Sequence, residues 1–344
     1  MQKVSLLAKS SNWLNSTLTT VLVSIPTTKI AQLRTHRTLQ QSDYIDIGES
    51  GLSISSNSSR AIPVEAHFKN LSENYFIPEW TEKAKGMVGK KIYADDIIHK
   101  ANELWRKAKK TSEKMVKELE ELGIHKQDSA LLLSPFTYSN VIITGDDDAW
   151  ENFFNLRCPK YSNGKKIFYS SSSFSENNAI PLPQNKSTAY PAIQEIAELI
   201  YDEVRKIKTT FIEEGNWHVP FGNTIDKMPF KEGNKETLRN KMLSQNKLVE
   251  YETVVKPKIS ASMCAKISFD TFTKEESWQN HLQRAEKLIA DHHYSPFEHQ
   301  YKSPTRKDLK KLTSHYESVE GIIQFSQGEY TSNVKNWVQY RKLL

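Results

Sequence analysis

One long segment of the chain repeats apolar side chains at every third or fourth position. The repeat runs from about Asp96 to Leu122, and its apolar members are Ile97, Ala101, Leu104, Ala108, Met115, Leu119 and Leu122. This spacing places them on one side of an α-helix, with the charged run RKAKK on the other side. Gly123 follows directly, as is typical after a helix C-terminus. We therefore predict a long amphipathic helix with one apolar side to bury.

The remaining patterned segments mix strand and helix signals. Residues 19–26, TTVLVSIP, are β-branched and end at proline, and residues 140–144, NVIIT, are similar, so we predict two strands. Helical spacing recurs over residues 146–157, over residues 191–207 and again from Trp278. Because no regular strand–helix–strand repeat links these segments, we predict an α+β (α/β) fold with long helices packed on a mixed or antiparallel sheet.

Three polar stretches interrupt these patterns, and one further segment is ambiguous. We interpret residues at about 38–52 and 158–188 as insertions and residues at about 222–257 as a polar linker within one domain, 1–344. Residues 40–60 are rich in serine and glycine and indicate a loop. Residues 258–269, KISASMCAKISF, look like a strand.

Composition restricts the class of protein. Apolar residues make up 38% of the 344, which is enough for a globular core. With two cysteines the chain has neither a disulfide framework nor a Cys-rich zinc site, and it suits a reducing compartment. No apolar run approaches the ~20 residues of a membrane span. We expect a cytoplasmic protein that binds no membrane.

Two segments near the start collect cations and hydroxyl groups. Residues 31–40, AQLRTHRTLQ, hold Arg34, His36 and Arg37, and residues 55–63, SSNSSRAIP, end a serine-rich run at Arg60. The chain has no glycine-rich phosphate loop, so a phosphate would be bound by side chains and helix ends. Each arginine alone is more often structural. Together they make a plausible anion site, and the net charge of +6 suits an anionic partner.

Two later segments offer further candidates. HHYSPFEH, residues 292–299, admits a metal site, ordinary structural histidines, or an anion site where Ser295 and Pro296 open a helix. Arg157 follows an aromatic helical segment. It is either a cation that caps the helix C-terminus or a planar guanidinium that binds a planar, partly anionic ligand. Cys158 is adjacent, and the arginine could lower its pKa. No nucleophile constellation stands out.

Taken in order, the motifs resemble those of the flavin-dependent thymidylate synthase family in its longer phage and bacterial form. QLRTHR is similar to the family signature Q-W-x-R-H-R, and SISSNSSRAIP to its continuation S-x-N-E-x-S-x-R. The other segments that recur in the same order are FIPEW, KGM, LGIHKQ, NFFNLR, WHVPF, CAKISF, HHYSPFEHQ and NWVQYRK. In the short form the segment resembling CAKIS…SPFEH precedes the arginine motif, whereas here it follows.

The resemblance implies an activity, cofactors and an assembly. The activity would be the reductive methylation of dUMP to dTMP, a methyltransferase reaction with methylenetetrahydrofolate as carbon donor. FAD would deliver the hydride after reduction by NADPH. The protein would be a homotetramer with active sites between subunits, and no nucleic acid partner is expected.

The resemblance also implies roles for individual residues. Residues expected to bind FAD are His36, Arg37, Asn152 and Ser295. Residues expected to bind dUMP are Gln32, Ser58, Ser59, Arg60 and Arg157. Arg157 would also be catalytic, because it would stabilise the N3 anion of the uracil and make C5 nucleophilic without an enzyme thiolate. His293 would lie near flavin and folate.

The chain departs from the family pattern at several positions. Thr35 replaces the first arginine of the signature, Ser55 and Ser56 replace its Asn and Glu, and Leu131 replaces an arginine expected to contact the dUMP phosphate. An aliphatic side chain cannot supply that contact, which is worth about 1.5–3 kcal/mol. Lys126, or a lysine of the 158–188 insertion, is a possible substitute. Two alternatives stay open: an FAD enzyme that modifies another pyrimidine nucleotide, and a catalytically silent nucleotide-binding relative.

Overall fold

The structure is a computed structural model that describes residues 2–34, 51–56, 64–85, 91–161, 166–168, 179–181, 189–233, 235–267, 276–312, 315–319, 322–326, 328–330 and 332–344. The strands are β1 Lys3–Ser11, β2 Thr17–Pro26, β3 Ser53–Ser56, β4 Tyr138–Asp146, β5 Lys166–Phe168, β6 Ala179–Pro181, β7 Thr210–Phe211, β8 Trp217–His218, β9 Tyr301–Lys302, β10 His315–Val319, β11 Ile322–Ser326 and β12 Val338–Gln339. The α-helices are α1 Ile30–Arg34, α2 Val64–Glu73, α3 Asp95–Glu121, α4 Lys126–Ser129, α5 Asp147–Arg157, α6 Pro191–Lys206, α7 Gly222–Asp226, α8 Leu238–Ser244, α9 Leu248–Glu250, α10 Lys256–Lys266, α11 Trp278–Ala290 and α12 Leu309–Leu312. Short 3-10 helices cover Thr27–Lys29, Ala130–Phe136, Ser295–Glu298 and Tyr340–Leu343, and a π-helix covers Tyr251–Val255.

A five-stranded sheet with the order β3-β4-β2-β1-β7 forms the centre of the fold. Its pairings are antiparallel except that of β1 with β7. Neighbouring residues of β4 alternate between two cores, since Val141 and Ile143 belong to the first and Ile142 to the second. The α+β class and the mixed, largely antiparallel sheet are therefore confirmed, as are the strands in residues 19–26 and 140–144.

Helices cover both faces of this sheet. On the first face, α5 and α6 bury Phe153, Phe154, Ile193 and Ile196 against β2 and β4. On the second face, the core includes Ile225, Leu238, Tyr251 and Ile259 from α7, α8, the π-helix and α10. Among the described residues no helix is both long and apolar enough to cross a membrane.

The long helix is present, but its apolar side is not buried in the chain. Helix α3 covers Asp95–Glu121, and Gly123 adopts a left-handed backbone with φ 79°. Val116 is the one residue of α3 that is fully buried, whereas Leu104 is 69% exposed. Ile97, Met115 and Leu122 are exposed as well. The prediction of a helix is confirmed, and five of its seven predicted apolar residues are exposed among the described residues.

Three segments differ from the sequence-based expectation. Of the strand expected at 258–269, the part up to Lys266 is helical in α10, and residues 268 and 269 lie outside the described residues. Burial on nearly all sides leaves no 3.6-residue periodicity, and small residues such as Ser260 and Ala261 permit close packing. The polar stretch 222–257 is not a linker, because its few apolar residues, such as Ile225 and Leu238, fill the second core. In the loop expected at 40–60, Ser53–Ser56 forms β3, which pairs with β4.

Candidate functional site

The predicted substrate residues Gln32 and Arg157 meet where α1 approaches the end of α5. The Arg157 guanidinium donates through Nη2 to the backbone carbonyl of Gln32, at 3.4 Å. Leu33 shares the first core with Phe153 and Phe154, which fixes α1 against α5. Tertiary packing therefore brings together two residues that are far apart in sequence.

Helix α5 begins and ends in a way that fixes the position of Arg157. Asp146 caps the helix and accepts a hydrogen bond from the Ala149 amide at 3.0 Å, and Asp147 and Asp148 lie in the positive first turn. The Trp150 indole donates to the Thr19 carbonyl of β2 at 3.2 Å. Arg157 is the last helical residue, held between this aromatic face and α1.

Arg157 is a buried cation without a counter-ion among the residues that the structure describes. Its side chain is 8% exposed, and burial lowers its pKa to about 10, so the guanidinium stays protonated at neutral pH. Within the same described residues no carboxylate pairs with it, and its buried Nε finds no hydrogen-bond acceptor. Burying such a cation costs free energy unless an anion balances its charge or an acceptor takes its hydrogen bonds. The position is suited to an anionic, planar ligand.

Two residues that the sequence analysis did not single out contact each other, one shortly before α1 and one directly before α6. The ammonium of Lys29, three residues before Gln32, is 3.6 Å from the centre of the Tyr190 ring. Burial lowers the pKa of Lys29 and raises the pKa of Tyr190. The signals available in sequence were the three-residue spacing from Lys29 to Gln32 and the aromatic residue directly before Pro191 at the start of α6.

Two carboxyl groups and two phenols form a separate electrostatic cluster. Burial, together with nearby Glu79, raises the pKa of Glu195 in the first turns of α6. Burial and Glu195 in turn raise the pKa of Tyr138 at the start of β4. Glu79 also raises the pKa of Tyr190, so it lies within electrostatic range of both Tyr190 and Glu195.

Three predicted residues lie apart from the guanidinium. Asn152 is exposed on α5, and His293 and Ser295 are exposed after the end of α11. Within the described residues Arg157 makes no hydrogen bond to any of them. The helix expected to open at Ser295 is a four-residue 3-10 helix, too short for an appreciable helix dipole.

Five predicted residues lie outside the described residues. They are His36, Arg37, Ser58, Ser59 and Arg60. Leu131, at the position of the expected phosphate-binding arginine, is 61% exposed in the 3-10 helix before β4.

The described residues favour neither a metal site nor a reactive thiolate. Among the described residues no group of three His, Cys, Asp or Glu side chains is placed to hold a metal ion. His299 is buried and bonds through Nδ1 to Thr144 at 2.9 Å, while His292 is exposed and bonds to Tyr294. Burial raises the pKa of the Cys158 thiol, contrary to the depression considered from sequence, and raises that of Cys264 to about 12. Neither thiol is a thiolate at neutral pH.

Comparison with known proteins gives one family match. A family model described as thymidylate synthase complementing protein matches residues 9–208, which is more than half of the chain and includes Gln32 and Arg157. No curated protein matches. Among solved structures the chain is similar to the UMP/dUMP methylase PolB from Streptomyces cacaoi, in complexes with 5-Br UMP and with 5-Br dUMP. For both, identity is 16%, the match covers 60% of this chain and 90% of that chain, and the TM-score is 0.41.

Proposed function

Because this chain belongs to the thymidylate synthase complementing protein family, that of the flavin-dependent thymidylate synthases, we propose that it reductively methylates dUMP to dTMP. Family membership makes it a thymidylate synthase-like methyltransferase. In the proposed reaction methylenetetrahydrofolate provides the carbon, FAD provides the hydride, and NADPH reduces FAD.

The observation that carries the proposal is the buried, uncompensated charge of Arg157. A guanidinium beside the uracil ring would stabilise negative charge at N3 and its neighbouring carbonyl, which raises electron density at C5. Because the cation is already desolvated and held by Gln32, it needs no reorganisation when that charge develops. Nε, which has no acceptor among the described residues, is one of the N–H donors that remain for the substrate.

The state of the two cysteines supports this electrostatic route. A thymidylate synthase that used a covalent thiolate would need an accessible cysteine with a lowered pKa. Cys158 and Cys264 are the only cysteines of the chain, both are buried, and burial raises the pKa of both. Activation of C5 therefore falls to Arg157.

The described residues are compatible with FAD. Asn152, His293 and Ser295 are exposed, and none of their side chains is hydrogen-bonded to a described residue. They would be available to bind the cofactor together with His36 and Arg37. When bound, reduced FAD supplies the hydride that completes the methyl group. His293 would orient flavin and folate, while Gln32, Ser58, Ser59 and Arg60 would hold the nucleotide.

A second candidate function rests on Leu131. Its exposed aliphatic side chain cannot donate a hydrogen bond to a phosphate, so the nucleotide preference would differ from that of relatives with arginine there. An FAD enzyme acting on another pyrimidine nucleotide would keep Arg157 and change this contact. A catalytically silent nucleotide-binding relative would retain neither flavin chemistry nor turnover.

The exposed apolar side of α3 supports the homotetramer implied by the family. Leu104 and its neighbours along α3 form an apolar surface on a helix of 27 residues, about 40 Å long. Such surfaces commonly mark protein interfaces. A second copy of the chain is the proposed partner, and a cytoplasmic location stays a prediction.

The visible absorption spectrum of the purified protein, recorded during titration with dUMP, tests this proposal. We expect a flavin spectrum, either as purified or after addition of FAD, that shifts saturably with dUMP. A flavin spectrum that responds to UMP or another nucleotide but not to dUMP would favour the second candidate. A protein that takes up no FAD would contradict both enzyme proposals and favour the silent relative.

A further inference from the structure

A cavity of about 280 Å³ lies beside β1, where that strand pairs with β7. Its walls are five consecutive residues of β1, the segment after α6, the β8 region and the start of α7. None of the residues assigned to the dUMP or FAD site lines it. The volume is near the lower end for small-molecule sites.

The cavity is distinct from the Arg157 site. Ile207 and Lys208 line the cavity directly after the C-terminal end of α6. Neither Gln32 nor Arg157 is among the residues that line it.

The lining carries positive charge and no carboxylate. Three lysines line it, Lys9, Lys208 and Lys256. Lys256 is balanced by Asp226 at 2.9 Å and by Glu252 at 3.1 Å. Lys9 donates to the Val204 carbonyl at 3.0 Å and lies within electrostatic range of Asp147, which offsets part of its charge. Lys208 forms no ion pair within the described part of the chain, so the local field favours an anion.

The opposite wall of the cavity is apolar and firmly held. Ile212 is buried, and Trp217 is fixed edge-to-face against Tyr340 with ring centres 4.9 Å apart. On the β1 side, Ser10 bonds to His218 at 2.9 Å, and His218 bonds to Thr20 at 2.8 Å. A satisfied buried network of this kind gives a rigid wall, so the cavity is preformed.

We propose that this cavity is a second ligand site, which binds a small organic anion with an apolar ring. The apolar wall of Ile212 and Trp217 receives the ring, and Lys9 and Lys208 face the anionic group. The site is independent of dUMP methylation, since it shares no residue with that site.

The test uses the fluorescent anion 8-anilinonaphthalene-1-sulfonate with the full-length folded protein, followed by fluorescence titration and calorimetry. The wild type is expected to bind one equivalent saturably, and excess dUMP is expected not to displace it. Gly222→Leu fills the space, because a Cβ there would touch Lys256 at 3.5 Å and Val219 at 4.0 Å without a backbone clash. It is expected to weaken binding by about tenfold or more.

Two charge variants separate the cavity from general surface attraction. Lys208→Glu reverses a lining charge and is expected to weaken binding by about five- to tenfold. Lys206→Glu makes the same change two residues earlier, outside the cavity, and is expected to leave the affinity within about twofold. Melting curves check that each variant is folded. If Gly222→Leu does not fold, the comparison of Lys208→Glu with Lys206→Glu still tests whether the anion binds in the cavity. No saturable binding, equal affinities for Lys208→Glu and Lys206→Glu, or displacement by dUMP would overturn the proposal.

Discussion

At position 157 a guanidinium lies almost entirely below the surface, 8% exposed, yet stays protonated because burial lowers its pKa only to about 10. Its single hydrogen bond within the described residues is to the Gln32 carbonyl. The charge is therefore available for a ligand, and the account of the reaction depends on it.

Arg157→Ala is expected to abolish dTMP formation while FAD remains bound. Loss of one preorganised charge donor to a developing anion typically costs about 10²–10³ in rate. Turnover and flavin absorbance of the same preparation provide the measurement. Arg205→Ala is the matched control, because Arg205 is exposed on α6 and contacts only Tyr201 among the described residues. Unchanged turnover in Arg157→Ala would remove the role assigned to this residue.

Leu131→Arg is expected to lower the KM for dUMP without changing that for deoxyuridine, which has no phosphate. A new charged hydrogen bond to phosphate contributes about 1.5–3 kcal/mol, or roughly tenfold or more in affinity. Leu132→Arg is the control, since Leu132 is the adjacent residue and is 38% exposed. If neither variant differs from wild type, a lysine such as Lys126 already makes the contact.

At this scale the sequence motifs identified Gln32 and Arg157, and the structure places the two in contact. Their roles stay predictions. The contact of Lys29 with Tyr190 was not predicted, because it joins the 3-10 helix Thr27–Lys29 to the residue before α6, and no local sequence pattern records such a contact. The lowered pKa considered for Cys158 is not found, because burial raises the pKa of this thiol and Arg157 is not among the groups that lower it.

The individual helices show when sequence periodicity identifies an element. Helices α3, α5, α6 and α11 were predictable because each has one apolar side and one polar side. Helix α10 is buried on nearly every side, so its sequence carries no such contrast. Periodicity also could not tell which protein surface the apolar side of α3 would meet.

Leu104→Glu is expected to shift the protein from oligomer to smaller species. A carboxylate in the middle of an apolar interface is left desolvated and unpaired, which costs several kcal/mol. Sedimentation or light scattering over a concentration series provides the measurement. Lys110→Gln, at an exposed position on the other side of α3, lowers the charge by the same single unit and is expected to keep the wild-type mass. A wild-type protein that is monomeric throughout the series would contradict the interface.

Across the whole molecule a buried polar chain connects the sheet to the C-terminal segments. It runs from Ser10 through His218, Thr20 and Thr144 to His299, with links of 2.8–2.9 Å. The sequence showed the two strands that carry Thr20 and Thr144. It did not show that β8, a strand of two residues, would place His218 beneath them.

The stability of the fold is expected to fall as the pH drops from about 6.5 towards 4. Burial, together with nearby His299, lowers the pKa of His218 to about 3, and burial lowers that of His281 to about 4. Below the unfolded-state pKa of about 6.5, these histidines bind protons in the unfolded chain but stay neutral in the folded chain. The free energy of unfolding therefore decreases by up to about 1.4 kcal/mol per pH unit for each histidine.

Urea unfolding at several pH values measures this slope. His218→Gln is expected to be less stable at pH 7 but to lose less stability on acidification than wild type. His99→Gln is the control, because His99 is exposed on α3 and is expected to leave the slope unchanged. Equal slopes in all three proteins would show that His218 is not held neutral.

The most direct measurement is product formation from dUMP. The purified protein would be incubated with dUMP, methylenetetrahydrofolate, NADPH and FAD, and the nucleotides would be separated by chromatography. We expect dTMP to accumulate in the complete mixture, and not when FAD is omitted from the apoprotein. Recovery of unchanged dUMP from folded, flavin-loaded protein, or formation of dTMP at the same rate without FAD, would contradict the proposed FAD-dependent methylation of dUMP.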